Sequence, residues 1–349
     1  MNNLKISIIK GSAIDRIRTS GIYISKDQFD YIRKQLPEID SIKNDFALKG
    51  KVNRHIHRNK QGHCTYALQY RTLDSHQSIA RFEISSYIEQ GKGEKFKKEN
   101  LKYYLSWTLW PHRLRQKELL PFHAALDVLL KELDIHDHPP IYSYAHTYRF
   151  ASVKRLEIAA DFPFLEPNTF IPWKPRGFVS WIHTDPVTGA KGATYLGLKG
   201  EAKDGFACYG KTQQLKETGQ PPSIFSGHPR TRIESRRYKA GKIKELHKLK
   251  NFFLGLEIAD LAIARALSDG AQWQQFLDLA MTYGSARAIA KTPIGKQRDK
   301  IIKMLRQAAH TAGWTPGKKK QIWDSYLRSV ERLAPEAMGL TVKGKSKVQ

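Results

Sequence analysis

Cysteine is almost missing from this chain: Cys64 and Cys208 are the only two in 349 residues, and no Cys-x-x-Cys spacing occurs. That excludes a disulfide framework and a cysteine zinc site, and leaves both thiols as small packing residues. Long apolar runs are missing too, since nothing reaches the roughly 18 residues a membrane-crossing helix needs. The opening segment Met1-Asn-Asn-Leu-Lys-Ile-Ser-Ile-Ile-Lys10 has no continuous apolar stretch of the secretory kind. The expectation is a soluble, cytoplasmic protein. Acid is scarce: 33 Asp and Glu face 59 Lys and Arg, for a formal net charge of +26. This surplus exceeds what solubility asks for and points to a polyanionic partner. Nucleic acid leads, because the basic amphipathic helix or juxtamembrane cluster that an anionic membrane would require does not stand out. No repeat of solenoid length is visible.

What is present suffices for packed domains, since 40% of the residues are hydrophobic and the length allows two or three cores. Residues 1–75 read as a basic N-terminal region with a hairpin, in which Arg54 to His57 and Cys64 to Tyr70 flank the turn-forming Asn59 to Gly62. Residues 76–240 read as a core of short strands: Ile79 to Ser85, Val153 to Phe162, Phe178 to His183, Thr194 to Leu198, Phe206 to Gly210 and Arg230 to Arg236. A helix is expected from Arg113 to Leu133, stopped by Pro139 and Pro140. Residues 241–335 change to helical period, with helices over Phe252 to Leu267, Trp273 to Tyr283 and Ile301 to Ala309. Residues 336–349 form a basic tail expected to be disordered. The fold class expected is α+β, with a mainly antiparallel central sheet and a C-terminal basic helical domain.

Chemistry-bearing residues concentrate on the strands. The triplet Arg-apolar-Glu occurs at Arg81 to Glu83, Arg155 to Glu157 and Arg232 to Glu234. If those strands are neighbours, their carboxylates converge on one patch, where hard cations such as Mg2+ or Mn2+ find oxygen ligands. The competing reading is a set of ion pairs between residues two apart on a strand face. Geometry favours Glu157 with Glu234 over Glu157 with Asp161, because at about 3.3 Å rise per residue the latter two lie about 13 Å apart on a regular strand. Tyr209 sits at a strand end, with Lys211 two residues on and facing the same way. A phenol can attack a phosphodiester when a cation lowers its pKa or a metal polarises the phosphate. Tyr195 and Tyr238 compete for that role, and spacing alone does not choose.

The series Arg155-Leu-Glu-Ile-Ala-Ala-Asp161, Thr194-Tyr-Leu-Gly197, Cys208-Tyr-Gly-Lys211 and Thr231-Arg-Ile-Glu234 resembles, in order and spacing, the rolling-circle replication initiators of the Rep_trans type. The filamentous phage replication proteins show a similar layout. The resemblance covers about residues 150–240 well and 79–150 loosely. Two positions depart from it: Glu157 stands where those proteins carry Asp, and Gly210 where they carry a polar residue. It implies Tyr209 as nucleophile and Glu157, Asp161 and Glu234 as metal ligands, with Glu83 on a further upstream strand. Lys211, Arg155 and Arg232 would offset charge at phosphorus. The activity implied is metal-dependent DNA nicking and joining through a 5′-phosphotyrosine intermediate, initiating rolling-circle replication of a plasmid or phage. The cofactor would be Mg2+ or Mn2+. Partners would be origin DNA, single-stranded at the nick, together with a host helicase and polymerase, in a monomer or homodimer and without a membrane. A conjugative relaxase would perform the same cut; a non-enzymatic DNA-binding regulator would need none of these acids.

Other features compete for attention. His55 and His57 form the His-apolar-His triplet by which a related group of nicking enzymes binds metal, but in so basic a hairpin, with no Tyr-x-x-x-Lys segment at a convincing later position, phosphate contact or plain solvation is the stronger reading. The aromatic run Tyr103 to Trp110 suits core packing better than base stacking. Basic runs at Arg236 to Lys239, Lys296 to Lys303 and Lys318 to Lys320 are of the kind that neutralises phosphates. A helix-turn-helix unit between Trp273 and Ala309 is compatible with the pattern, without a turn that names a recognition helix.

Overall fold

Alternating and 3.6-residue apolar patterns resolve, in a computed structural model of the chain, into thirteen strands and five α-helices among the described residues. Those residues are 14–20, 22–30, 34, 50–58, 64–72, 78–88, 101–110, 151–163, 170–173, 180–184, 191–197, 204–212, 214, 230–292 and 295–333. The class is α+β with extensive antiparallel sheet. The chain divides into two units that alternate along the sequence, one holding residues 14–156, 239–249 and 329–333, the other 157–238 and 250–328. The expected helix over Arg113 to Leu133 and the C-terminal tail lie outside the described residues.

The first unit is built on β1 (Ile14–Thr19), β2 (Ile22–Ile24), β3 (Gly50–Arg58), β4 (Cys64–Thr72), β5 (Ser78–Ile88) and β6 (Leu101–Leu109). Their order is β3-β4-β5-β6-β1, with β2 also on β6, and every described pair is antiparallel. The hairpin expected around Asn59 to Gly62 is β3 with β4, in register His55 opposite Ala67 and His57 opposite Thr65. On β6, Leu105, Trp107 and Leu109 are buried, as core packing requires. Thr19 ties β1 to β6: its hydroxyl donates to the Trp107 carbonyl at 3.1 Å and accepts from the Trp107 amide at 2.9 Å.

Two long strands, β7 (Ser152–Pro163) and β12 (Arg230–Lys242), belong partly to each unit. In the second unit they are joined by β9 (Ser180–Thr184), β10 (Lys191–Gly197) and β11 (Gly205–Gly210), in the order β7-β12-β11-β10-β9. Leu196, Phe206, Cys208 and Ile233 are buried on one face of this sheet, and Phe206 meets Phe253 edge to face at 5.9 Å. Close strand approach explains Gly205: a Cβ there would lie 2.6 Å from the Leu196 carbonyl oxygen on β10. That oxygen cannot retreat without loosening the β10–β11 ladder, so Gly205→Ala is expected to lower the urea unfolding free energy by about 1–3 kcal/mol. An unchanged midpoint would contradict the close packing.

The same unit holds a two-stranded sheet, β8 (Phe170–Trp173) with β13 (Glu257–Asp260), the helices α1 (Leu261–Ala266), α2 (Ala271–Tyr283), α3 (Ser285–Lys291) and α4 (Lys296–Thr311), and α5 (Pro316–Leu333) as far as Arg328. Trp173, Trp273, Phe276, Leu277 and Leu305 meet in one buried cluster. Here the helix expected from Phe252 to Leu267 breaks into a 3-10 turn at Phe252–Gly255, strand β13 and the short α1. The pairing with β8 decides it, and Asp260 then caps α1 by accepting from the Ile263 amide at 2.9 Å. Gly284, with φ of 88°, makes the sharp turn between α2 and α3. No helix among the described residues is long and apolar enough to cross a membrane.

Candidate functional site

Register places the chemistry-bearing residues of the second unit on one sheet face. Directly opposed residues of an antiparallel pair share a face, and Tyr209 lies opposite both Ala193 and Arg232, while Ala207 lies opposite both Tyr195 and Glu234. Tyr195, Tyr209, Arg232 and Glu234 therefore project together, along with Arg236 two residues further along β12. The other face carries the apolar residues Phe206, Cys208 and Ile233. Ala207 opposite Glu234 leaves room for a diagonal contact, and the Tyr209 hydroxyl makes it, donating to Glu234 Oε2 at 3.0 Å.

Glu234 is buried, with 2% of its surface exposed, so its charge needs partners. Arg236 Nε donates to Glu234 Oε1 at 2.5 Å. Burial works against the charge on Arg236. The charge and hydrogen bond of Glu234, with Glu157 and Tyr195 beyond, outweigh it and hold the guanidinium pKa above its ordinary value. The guanidinium also lies 5.6 Å from the centre of the Tyr195 ring. Glu157, itself buried, brings a carboxylate oxygen within 4.8 Å of one on Glu234. Two close carboxylates supply the hard oxygen donors that a divalent cation prefers.

Asp161 is engaged differently. Arg232 grips it as a fork, with Nε to Oδ1 at 2.7 Å and a terminal nitrogen to Oδ2 at 2.9 Å. Both side chains are largely buried, and their pairing holds β7 to β12. Lys211 lies with its ammonium 5.9 Å from the centre of the Tyr209 ring and bonds Gln214 at 2.9 Å. Tyr238 uses its amide to bond Asp204 at 2.8 Å. Arg155 and Glu83 belong to the other unit, where Glu83 pairs with Arg81 at 2.9 Å and Arg18 at 3.5 Å. His55 and His57 lie on β3 of that unit.

The structure thus brings Tyr209, Glu234 and Glu157 together and sets Asp161 with Arg232. The triplet pattern named Arg232 as the neighbour of Glu234, whereas the arginine hydrogen-bonded to Glu234 is Arg236, from a run that reads as basic surface in the sequence. The signal for it was spacing: Arg236 stands two residues beyond Glu234 on a strand and so shares its face. Tyr195, in the sequence only a rival nucleophile, lies under that guanidinium. Comparison of the chain with protein-family models and with curated proteins returns no match.

Proposed function

We propose that this protein nicks DNA at one phosphodiester and rejoins it, with Tyr209 as the nucleophile, to initiate rolling-circle replication. The observation carrying this reading is the Tyr209 hydroxyl donating at 3.0 Å to a buried carboxylate that has a second carboxylate beside it. A phenol at neutral pH is a weak nucleophile and needs an acceptor for its proton. Glu234 Oε2 is at hydrogen-bond distance to receive it. The phenolate oxygen then bonds to phosphorus and the bond from phosphorus to the 3′-oxygen breaks. The 3′-oxygen takes a proton from solvent, leaving a 3′-OH primer end and a 5′-phosphotyrosine. Rejoining runs the same steps backward, the 3′-OH attacking phosphorus and Tyr209 recovering its proton. Because the tyrosine ester conserves bond energy, no external energy source is needed.

Lys211, whose ammonium lies 5.9 Å from the centre of the Tyr209 ring, would balance charge that grows at phosphorus. Glu157 and Glu234 are the residues that would hold a divalent ion, Mg2+ or Mn2+, and such an ion would polarise the phosphate. Arg232 and Asp161 keep the strands that carry these groups in register. The +26 charge supports a DNA partner.

The test uses a pool of single-stranded oligonucleotides of random sequence with Mn2+. A protein-DNA adduct that survives denaturation should form, and EDTA should reduce it by about 100-fold or more. A relaxase acting in conjugation would give the same adduct, whereas a non-enzymatic regulator would give none. Absence of any adduct over the whole pool would overturn the nicking reading.

A further inference from the structure

Three basic runs stand out in the sequence, and the fold uses them differently. In the first, Arg236 is committed to Glu234, while Arg237 pairs with Asp204 at 3.0 Å and stacks on Phe252 at 3.8 Å. In the third, Lys319 is buried, 5% exposed, against Glu257 at 2.9 Å, and Lys320 pairs with Asp324 at 2.8 Å. Only the run on α4 faces outward unspent. Lys296, Lys300 and Lys303 are all exposed, and no described residue forms an ion pair with them. At 3.6 residues per turn these positions fall on one stripe, which Gln307 and His310, also exposed, extend toward the helix end. The lysines recur every 4.5–6 Å along the axis, at about 1.5 Å rise per residue. The opposite side of α4 is filled by Ile301, Leu305, Ala308 and Ala309, all buried in the unit's core.

We propose that the outer face of α4 is a phosphate-binding surface for duplex DNA. Its occupant is chosen by charge: three exposed ammonium groups in a row outnumber the one acid of the helix, Asp299, which is exposed beside them, and complement a polyanion with regularly spaced phosphates. A bilayer is the poorer match, because an interfacial helix must bury its apolar side in lipid, and that side of α4 is already packed inside the protein. The surface is sequence-independent, since lysines contacting phosphates position a duplex without reading it. This assignment rests on the nicking reading for taking DNA as the polyanion, but the binding it describes is measured separately.

The test measures binding of the full chain to a 30-base-pair duplex of mixed sequence at a series of salt concentrations. The variants are the triple Lys296→Gln/Lys300→Gln/Lys303→Gln and a control of equal charge change, Lys154→Gln/Lys242→Gln/Lys248→Gln. Each phosphate that is no longer neutralised should reduce the slope of log K against log salt by about 0.9. The α4 triple should therefore flatten it by about 2–3, and the control should leave it nearly unchanged. Glutamine retains helix propensity close to that of lysine, and unchanged thermal unfolding checks that α4 is intact. Equal slopes for both triples would overturn the proposal, because total charge would then explain binding. It is also overturned if the α4 triple binds duplex normally and loses only binding to phosphatidylserine vesicles. Adduct formation on short single strands should persist in the α4 triple; its absence in the unmutated protein would sink the nicking reading while leaving the salt slopes to judge this surface.

Discussion

Tyr209→Phe should abolish the covalent DNA adduct, lowering its rate of formation by at least about 1,000-fold. The substitution removes one oxygen. In the folded protein that oxygen makes a 3.0 Å bond to Glu234 Oε2, so the phenylalanine loses the nucleophile and this hydrogen bond while the ring keeps its packing. The stability cost should be about 1 kcal/mol, too little to explain a loss of activity by unfolding. Tyr195→Phe and Tyr238→Phe serve as controls. Tyr195 keeps its ring under Arg236 when the hydroxyl is removed, and Tyr238 contacts Asp204 through its backbone amide, so both variants should retain the adduct. An adduct that persists in Tyr209→Phe and disappears in one of the others would move the nucleophile. The class of reaction would survive, but the role assigned to Glu234 would not.

The second large effect is on stability. Asp161→Ala should destabilise the protein by about 3–5 kcal/mol, because it leaves the Arg232 guanidinium buried and without its carboxylate. Arg232 is 8% exposed and directs two nitrogens at Asp161, at 2.7 and 2.9 Å. A forked pair of this kind is costly to break from one side and cheap to replace as a whole. The double variant Asp161→Leu/Arg232→Met should therefore recover most of the loss in urea unfolding, with an unchanged denaturant slope. If Asp161→Ala were instead stable and merely deficient in Mn2+ binding, Asp161 would be a metal ligand, as the resemblance implied, and the fork would be incidental.

Much of the sheet was legible because its signal is local. Ser152–Pro163, Gly205–Gly210 and Arg230–Lys242 alternate or run apolar between turn residues, and each became a strand close to its expected position. Helix α2 was likewise readable from the spacing of Trp273, Phe276, Leu277 and Ala280. The small sheet was not. Phe170–Trp173 carries Pro172, which argues against a strand, while the apolar spacing of Phe252 to Leu267 mimics a helix. Each of these segments is a strand only because the other lies beside it, and local periodicity contains no record of that pairing.

At the site, the rise of a regular strand favours Glu157 with Glu234, and these two carboxylates do approach within 4.8 Å. The same rise separates Asp161 from Glu157, and Asp161 is found bound to Arg232. What the sequence could not supply was the exchange of partners. Arg81 pairs with Glu83 within its own triplet, as the simplest reading expects. In Arg232 to Glu234 the arginine reaches across to Asp161 and the glutamate turns to Arg236. The choice depends on which carboxylate the neighbouring strand presents, a tertiary fact. The same holds for Lys319, which lies in the most basic triplet of the C-terminal part yet is buried against Glu257.

The central claim is that a phenol oxygen on β11 becomes the point of attachment to DNA. Its most direct test is peptide mapping by mass spectrometry after incubation with single-stranded DNA and Mn2+, followed by nuclease digestion. The expected result is a phosphonucleotide mass on the peptide containing Tyr209, with fragment ions that place it on that residue. A modification located on any other side chain, or an unmodified Tyr209 peptide in a protein that has demonstrably cut its DNA, would contradict it.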